Sequence, residues 1–461
     1  MNKPELGFGP KIIWQLTWPQ MLMMYILFFS GIISVWAAGQ ISPNVQAAMG
    51  LVTQCAMFMM VVIMSIASGA TAAISQSIGM GKMLRARLYI STTVLGSCGL
   101  GFLVAVPGWF FGGQILALIQ TPAEIMPLCS DLWQVLIIGM PLQYVYFSTG
   151  VMFRATRLVL PPLWVAVIVA IANLIGSLGF GLGWFGLPAC GYLGLIWTSV
   201  ATQAIGSLAN CLLLMRSGYL QFRILPDPAW LRHALPYLLK VALPAGAAQI
   251  VWQSGYLTLF VLVASLPHDS VTALAGLTAG LRAEALLFMP GMAFSMTCSI
   301  LVGNSLGEGN ARRARRIGLQ LTGAAAGLMT IMAIIAWPFR PLIAEFLTPD
   351  AATQAAIVSY LSFNLTTTTF SIASQVMGGI MTGAGATQYN LMIYGGTFWA
   401  VRLPLGWLLG HRLWGDAAGV FAAMAISQVI QTCIMLYVVI YRDWPRFAMK
   451  RASFAQPRKE N

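Results

Sequence analysis

The sequence predicts an all-α membrane protein: twelve transmembrane helices in two parallel six-helix repeats, related by a pseudo-twofold axis along the membrane normal. Three observations carry this expectation. Hydrophobic residues make up 58% of the 461 positions and charged residues only 8%, whereas a soluble domain carries about 25% charged residues. The apolar residues fall into twelve runs, each near or above the ~20 residues that cross a bilayer. The second half of the chain also repeats motifs of the first. The composition alone excludes a water-soluble enzyme.

In chain order the runs cover 12–38, 46–75, 88–111, 126–149, 159–183, 190–215, 235–266, 271–303, 317–338, 352–382, 389–410 and 416–441. Gly, Pro or charged residues separate them. The first run has no small-residue cleavage site after a short apolar core, so it reads as a retained helix. Runs longer than the minimum predict tilt or extension past the membrane.

Lys and Arg concentrate in cytoplasmic loops, and they orient the chain. Lys3 and Lys11 precede the first run; Lys82, Arg85 and Arg87 follow the second, and Arg154 and Arg157 follow the fourth. Arg216, Arg223, Arg232 and Lys240 follow the sixth, and Arg312, Arg313, Arg315 and Arg316 follow the eighth. Arg442, Arg446, Lys450, Arg451, Arg458 and Lys459 end the chain. That places 21 of the 25 cationic residues on one side. The other side has Arg340 and Arg412, while Arg282 and Arg402 lie within apolar runs. Both termini are expected in the cytoplasm, in a plasma (inner) membrane. The net charge of +13 is thereby explained by topology, and no nucleic-acid partner is expected.

The repeat is clearest after the second and eighth runs. Gln76-Ser-Ile-Gly-Met-Gly-Lys-Met-Leu-Arg-Ala-Arg87 and Asn304-Ser-Leu-Gly-Glu-Gly-Asn-Ala-Arg-Arg-Ala-Arg315 agree at six of twelve positions, 228 residues apart. Trp18-Pro19 echoes Leu243-Pro244, and Gly150-Val-Met echoes Gly379-Ile-Met, at offsets of 225 and 229. The expected organisation is an N-terminal half over 1–215, a cytoplasmic linker over 216–240, a C-terminal half over 241–441 and a basic tail over 442–461. Each half begins in the cytoplasm and spans an even number of times, so the halves run parallel, with cargo expected in a cleft between them. The prolines matched across the repeat, Pro19 and Pro244, remove helix hydrogen bonds and predict bending of the first and seventh helices.

Charges inside apolar spans are costly and mark functional candidates. Glu284 is the one carboxylate expected near mid-membrane, and Arg282 and Arg402 lie at similar depth. Helical residues two apart face different ways, so Arg282 is poorly placed to pair with Glu284. Two readings of Glu284 stand open: a structural ion pair with Arg402, or alternation between Arg402, a proton and a cationic cargo. Gln249, Gln253 and Gln375 point to a polar cavity in the C-terminal half. Abundant Met and aromatic side chains suit an adaptable apolar pocket. The Thr366–Thr369 run predicts local back-bonding within its helix. The seven cysteines form no C-x-x-C pair and read as buried thiols, though a Cys129–Cys190 disulfide is possible. The three histidines are expected in loops, without metal-ligand spacing.

These residues resemble the multidrug and toxic compound extrusion (MATE) family, bacterial type, over nearly the whole chain. The most specific pieces are the Pro19 opening, Ser68-Gly-Ala-Thr-Ala-Ala-Ile-Ser-Gln-Ser-Ile-Gly-Met-Gly81, Arg282-Ala-Glu-Ala-Leu-Leu-Phe-Met-Pro-Gly291, Leu301-Val-Gly-Asn-Ser-Leu-Gly-Glu-Gly-Asn310 and Val401-Arg-Leu-Pro404. The resemblance implies efflux of organic cations or amphiphiles by alternating access. It implies coupling to inward H⁺ or Na⁺, without nucleotide hydrolysis, enzymatic activity or an organic cofactor. Many relatives carry an acid where this chain has Ser34, and another where it has Ser177, four residues after Asn173. The family's helix-six threonine falls on Ser199. The N-terminal half therefore offers a polar cluster of Ser34, Asn173, Ser177 and Ser199 without a carboxylate, which favours H⁺ over Na⁺. The expected partners are a small cationic or amphiphilic cargo and membrane lipid, and the expected state is a monomer. A flippase of a lipid-linked saccharide is the alternative within transport, but only two intramembrane arginines are present. A receptor or scaffold is the alternative outside it, and the repeat without a soluble module argues against that.

Overall fold

The computed structural model describes residues 9–221 and 226–449, and among these it contains helices and no strands. The α-helices are α1 (Pro10–Ile41), α2 (Pro43–Gly79), α3 (Met83–Leu118), α4 (Met126–Ala155), α5 (Leu160–Gly176), α6 (Gly191–Arg216) and α7 (Pro228–Ala264). They continue as α8 (Ser270–Gly307), α9 (Ala311–Ala336), α10 (Arg340–Leu347), α11 (Ala351–Ala384), α12 (Thr387–Thr397), α13 (Leu403–Trp407) and α14 (Ala417–Tyr441). A π turn over Ser177–Gly181 prolongs α5, and a 3₁₀ turn over Trp337–Phe339 joins α9 to α10. Two more π turns, Phe398–Arg402 and Leu408–Leu413, join α12 to α13 and prolong α13. Read through these turns, the segments form the twelve expected columns.

Ten helices among the described residues are long and apolar enough to cross a membrane. The two remaining columns fall short for identifiable reasons. The α11 helix has the length, but its Ser, Thr, Asn and Gln residues dilute its hydropathy. The α12–α13 column is divided by its π turns into short pieces.

The matched Gly-x-Gly motifs end α2 and α8 in the same way. Lys82 N–H donates to the Ser77 carbonyl and Asn310 N–H to the Ser305 carbonyl, both at 3.0 Å. Gly81 and Gly309, with φ of +73° and +84°, take the left-handed conformation that lets the chain reverse there. The repeat in sequence is thus a repeat in backbone. Other ends use side-chain caps. Asn310 accepts from Arg313 N–H at 2.9 Å, starting α9. Asp350 accepts from Thr353 N–H at 2.8 Å and from its hydroxyl, starting α11. These bonds hold the exposed Asp350 carboxyl below its usual range. Its contribution is therefore present above about pH 4 and fades as falling pH passes its folded-state value.

The expected linker is shorter than its composition indicated. Asp227 accepts from Trp230 N–H at 2.7 Å, and Pro228 follows it at the first helical position, so α7 begins seven residues before the expected 235. This Asp-Pro start outweighs the polar Arg232-His233 pair that interrupts the apolar pattern. Arg223, Lys3 and the tail from 450 lie outside the described residues. His233 falls on α7 and His411 on a π turn, so only His268 is in a loop. All seven cysteines are free.

The chain divides into two compact units. Among the described residues, one comprises those of Trp18–Ile78 and Lys82–Leu239; the other takes those through Thr17, Gly79–Gly81 and those from Lys240. The first unit is cored by Trp133, Ile137 and Tyr144 of α4 with Met49 and Ile63 of α2. Trp133 Nε1 donates to the Gly108 carbonyl at 2.8 Å. The first turns of α7 belong to this unit: Trp230 donates to Thr92 Oγ1 at 3.1 Å and sits edge-on to Tyr89. The second unit is cored by Leu277, Tyr360, Phe398 and Phe421. It includes the first turns of α1, where Thr17 Oγ1 donates to Thr297 at 3.1 Å.

In this second unit α8 and α11 approach at backbone distance. An added Cβ on Gly379 would lie 2.3 Å from the Ser295 carbonyl oxygen, and one on Gly383 2.2 Å from that of Ser299. The pair forms a Gly-x-x-x-Gly face, which lets membrane helices pack without intervening side chains. The same two helices carry Glu284 and Tyr360, whose side chains meet across the α8–α11 contact.

Candidate functional site

A cavity of about 260 Å³ opens inside the second unit, among α7, α8, α11, α14 and the π turn that ends at Arg402. Glu284 of α8 faces it, and the Tyr360 hydroxyl of α11 donates to Glu284. Asn364, one turn further along α11, also reaches this carboxyl. Aromatic rings of Trp252, Tyr256, Phe288 and Phe363 and the thioethers of Met289 and Met292 line the rest. The rings of the apolar wall interlock: Trp252 and Tyr256 lie 5.4 Å and 5.2 Å from the Phe398 ring.

Arg402 enters the same cavity but does not pair with Glu284. Its Nε donates to Ser427 Oγ at 2.9 Å, and a terminal nitrogen donates to Gln428 Oε1 at 2.6 Å. Its guanidinium lies over the Phe398 ring at 4.5 Å and the Trp252 ring at 5.8 Å. The side chain is 4% exposed. The one ion pair among the described residues is Arg313–Glu308. Of the two readings of Glu284, the ion pair with Arg402 is therefore not formed in this conformation. The cause is local: hydrogen bonds to α14 and two aromatic faces hold the guanidinium, while Tyr360 and Asn364 hold the carboxyl. Neither charge can collapse onto the other without giving up those partners.

Arg282 is exposed and lines no part of this cavity, as its two-residue offset from Glu284 requires. Gln249, Gln253 and Gln375 are likewise not among the lining side chains. The polar wall comes instead from Tyr360, Asn364, Thr367 and Ser371 of α11 and Gln428 of α14. The α11 spacing of four, three and four is one face of a helix, a signal present in the sequence. Thr366, Thr367 and Thr368 donate to carbonyls of their own helix, as the sequence predicts. Thr367 does so while lining the cavity.

In the first unit three of the four expected polar residues meet. Ser34 Oγ donates to Asn173 Oδ1 at 3.4 Å, and Asn173 Nδ2 reaches Ser199 at 3.5 Å and Thr202 at 3.4 Å. Thr202 was not anticipated, although it lies one turn from Ser199. Ser177 stands apart in the π turn, its buried Oγ without a hydrogen-bond partner. The cluster contains no carboxylate. Pro19 and Pro244 lie inside α1 and α7, shortly after the points where those helices pass from one unit to the other.

A carboxylate in an aromatic cavity can hold a proton, or a cation whose charge is also favoured by ring faces. Thioethers adapt to varied shapes. The cavity thus combines a titratable carboxyl with ring faces and thioethers.

The MatE family model matches residues 19–178 and 244–408. Against the multidrug resistance protein PmpM of Pseudomonas aeruginosa the chain is 24% identical, over 97% of this chain and 96% of that protein. Against Protein DETOXIFICATION 36 of Arabidopsis thaliana it is 28% identical, but the match spans 44% of this chain and only 40% of that relative. A mutant of the Vibrio cholerae MATE transporter VcmN shares the fold with a TM-score of 0.85 at 19% identity, covering 93% of this chain and 95% of that one.

Proposed function

Since the chain belongs to the MatE family, whose members are multi-pass membrane transporters and not enzymes, we propose that it exports organic cations or amphiphiles in exchange for protons, by alternating access. One observation carries the choice of ion and site: Glu284 faces an aromatic cavity, and among the described residues no cation lies in direct contact with it. A carboxylate so placed can exchange a proton for a cargo cation. The neutral cluster at Asn173 supports the same choice. A tight Na⁺ site needs oxygen ligands with a compensating negative charge, and Ser34, Ser199 and Thr202 supply only the oxygens.

Drug-evoked flux in proteoliposomes, with proton and sodium gradients imposed separately, tests this reading. Uphill export is expected with the proton gradient alone; export driven by sodium alone would reject it. Ser34→Ala and Ser177→Ala should both retain gradient-driven flux. Ser177→Ala should also fold as well as the parent, because it removes a buried hydroxyl that makes no hydrogen bond. Loss of all coupled flux in either variant, with normal folding, would move the coupling site to the first unit.

The export direction requires the cationic loops to face the cytoplasm of the inner membrane. In a cysteine-free background, Ser217→Cys should react with an impermeant maleimide only from inside and His268→Cys only from outside. The reverse pattern would overturn the orientation.

A further inference from the structure

We propose that the start of α9, together with the segment after α14, binds the headgroup of an anionic phospholipid, a phosphodiester carrying hydroxyls. The site lies outside the Glu284 cavity and does not rest on the export reading. Arg312, Arg315 and Arg316 line a groove of about 720 Å³ with Leu319 and Gln320, closed by Asp443 and Pro445. The positions 312, 315/316 and 319/320 recur at helical spacing, so they share one face of α9.

Three features go beyond a general excess of cytoplasmic cations. Arg313 is neutralised by Glu308, whereas Arg312, Arg315 and Arg316 have no carboxylate within ion-pair distance among the described residues. Arg315 is fixed in advance: it donates to the Arg442 carbonyl at 3.3 Å, its guanidinium lies 5.9 Å over the Trp444 ring, and its Nε is sequestered without a partner. Trp444, fully buried, anchors the segment that holds it. Finally, cations at a helix N-terminus oppose the helix dipole, so local helix stability does not account for them.

The chemistry selects the ligand. Planar guanidinium groups suit phosphate oxygens, and three of them face one carboxylate. Asp443 accepts hydrogen bonds, so it favours a phosphate bearing hydroxyl donors over a bare anion. Leu319 and Pro445 give the groove an apolar edge for the start of an acyl chain. The position matches: Ile317, Leu319 and Leu321 open the apolar part of α9 directly after the arginines, which places them at headgroup depth.

The full chain, delipidated in detergent, is titrated with dioleoylphosphatidylglycerol, dioleoylphosphatidylcholine or inorganic phosphate, and bound lipid is counted by native mass spectrometry. Phosphatidylglycerol should bind roughly a hundredfold tighter than phosphatidylcholine. The combined Arg312→Gln, Arg315→Gln and Arg316→Gln variant should abolish that preference. Arg312→Gln alone, an exposed change that leaves the Arg315 contacts in place, should weaken it about fivefold. Arg216→Gln with Arg232→Gln, in another cationic segment, should leave it unchanged. Equal binding of the two lipids would overturn the proposal. Equal loss in both sets of variants would reduce it to diffuse surface charge. Displacement of phosphatidylglycerol by equimolar inorganic phosphate would replace the lipid with a free anion.

Discussion

Glu284→Gln should reduce proton-driven uphill export to the background of empty liposomes while leaving the fold intact. The amide still accepts the Tyr360 hydroxyl through its carbonyl, and its volume matches the acid, so the packing of α8 on α11 persists. It cannot take up and release a proton at physiological pH, which removes the exchange that couples cargo to the gradient. Binding of a probe cation such as tetraphenylphosphonium should weaken by about 1.5–3 kcal/mol, the usual worth of a contact to a charged group, or roughly tenfold to a hundredfold. Binding of a neutral probe of the same shape should change little. Calorimetric titration of both probes separates the two effects. Uphill export at the parental rate would show that the proton travels elsewhere.

Gly383→Ala should have a large structural effect on the second unit. The new Cβ would meet the Ser299 carbonyl oxygen at 2.2 Å, and a backbone atom cannot rotate away. The helices must separate there, at a cost of about 1–3 kcal/mol typical of overpacking. Both Tm and transport should fall. Gly396→Ala is the matched control, because nothing lies within 4 Å of its added Cβ. That change should be neutral or slightly stabilising, as helical Gly to Ala usually is. Equal Tm values for the two variants would mean that α8 and α11 do not need this close approach.

The class, the repeat and most helix boundaries were legible because each rests on long runs of residues. Composition demanded a membrane, and the Gly-x-Gly motifs announced matching helix ends. The divergence of Glu284 from Arg282 was legible from helical period. The partner of Glu284 was not. Arg402 lies in a π turn, where the extra residue breaks the 100° per residue count that predicts facing side chains. Nor does spacing tell which of several polar neighbours a guanidinium will choose. The polar stripe from Tyr360 to Ser371 was readable in principle, but the adjacent threonines disguised it by offering a local account of every hydroxyl. Gln249, Gln253 and Gln375 drew notice by residue type alone, which carries no direction around the helix axis. The early start of α7 was hidden for a related reason: a two-residue cap at Asp227-Pro228 outweighed an apolar pattern read over twenty.

The crossing of the chain within α1 and α7 has a consequence for biosynthesis. The first unit takes its final piece from Pro228–Leu239, so a nascent chain of six inserted helices is not yet a finished structural unit. Until those residues emerge from the ribosome, Thr92 lacks the Trp230 donor and Gly69 lacks the Leu238 carbonyl it packs against. The opening turns of α1, made first, wait longer still, because Thr17 finds Thr297 only after α8 has been inserted. Maturation therefore cannot proceed as two consecutive halves. The opening turns of α1 thus settle among segments synthesised much later.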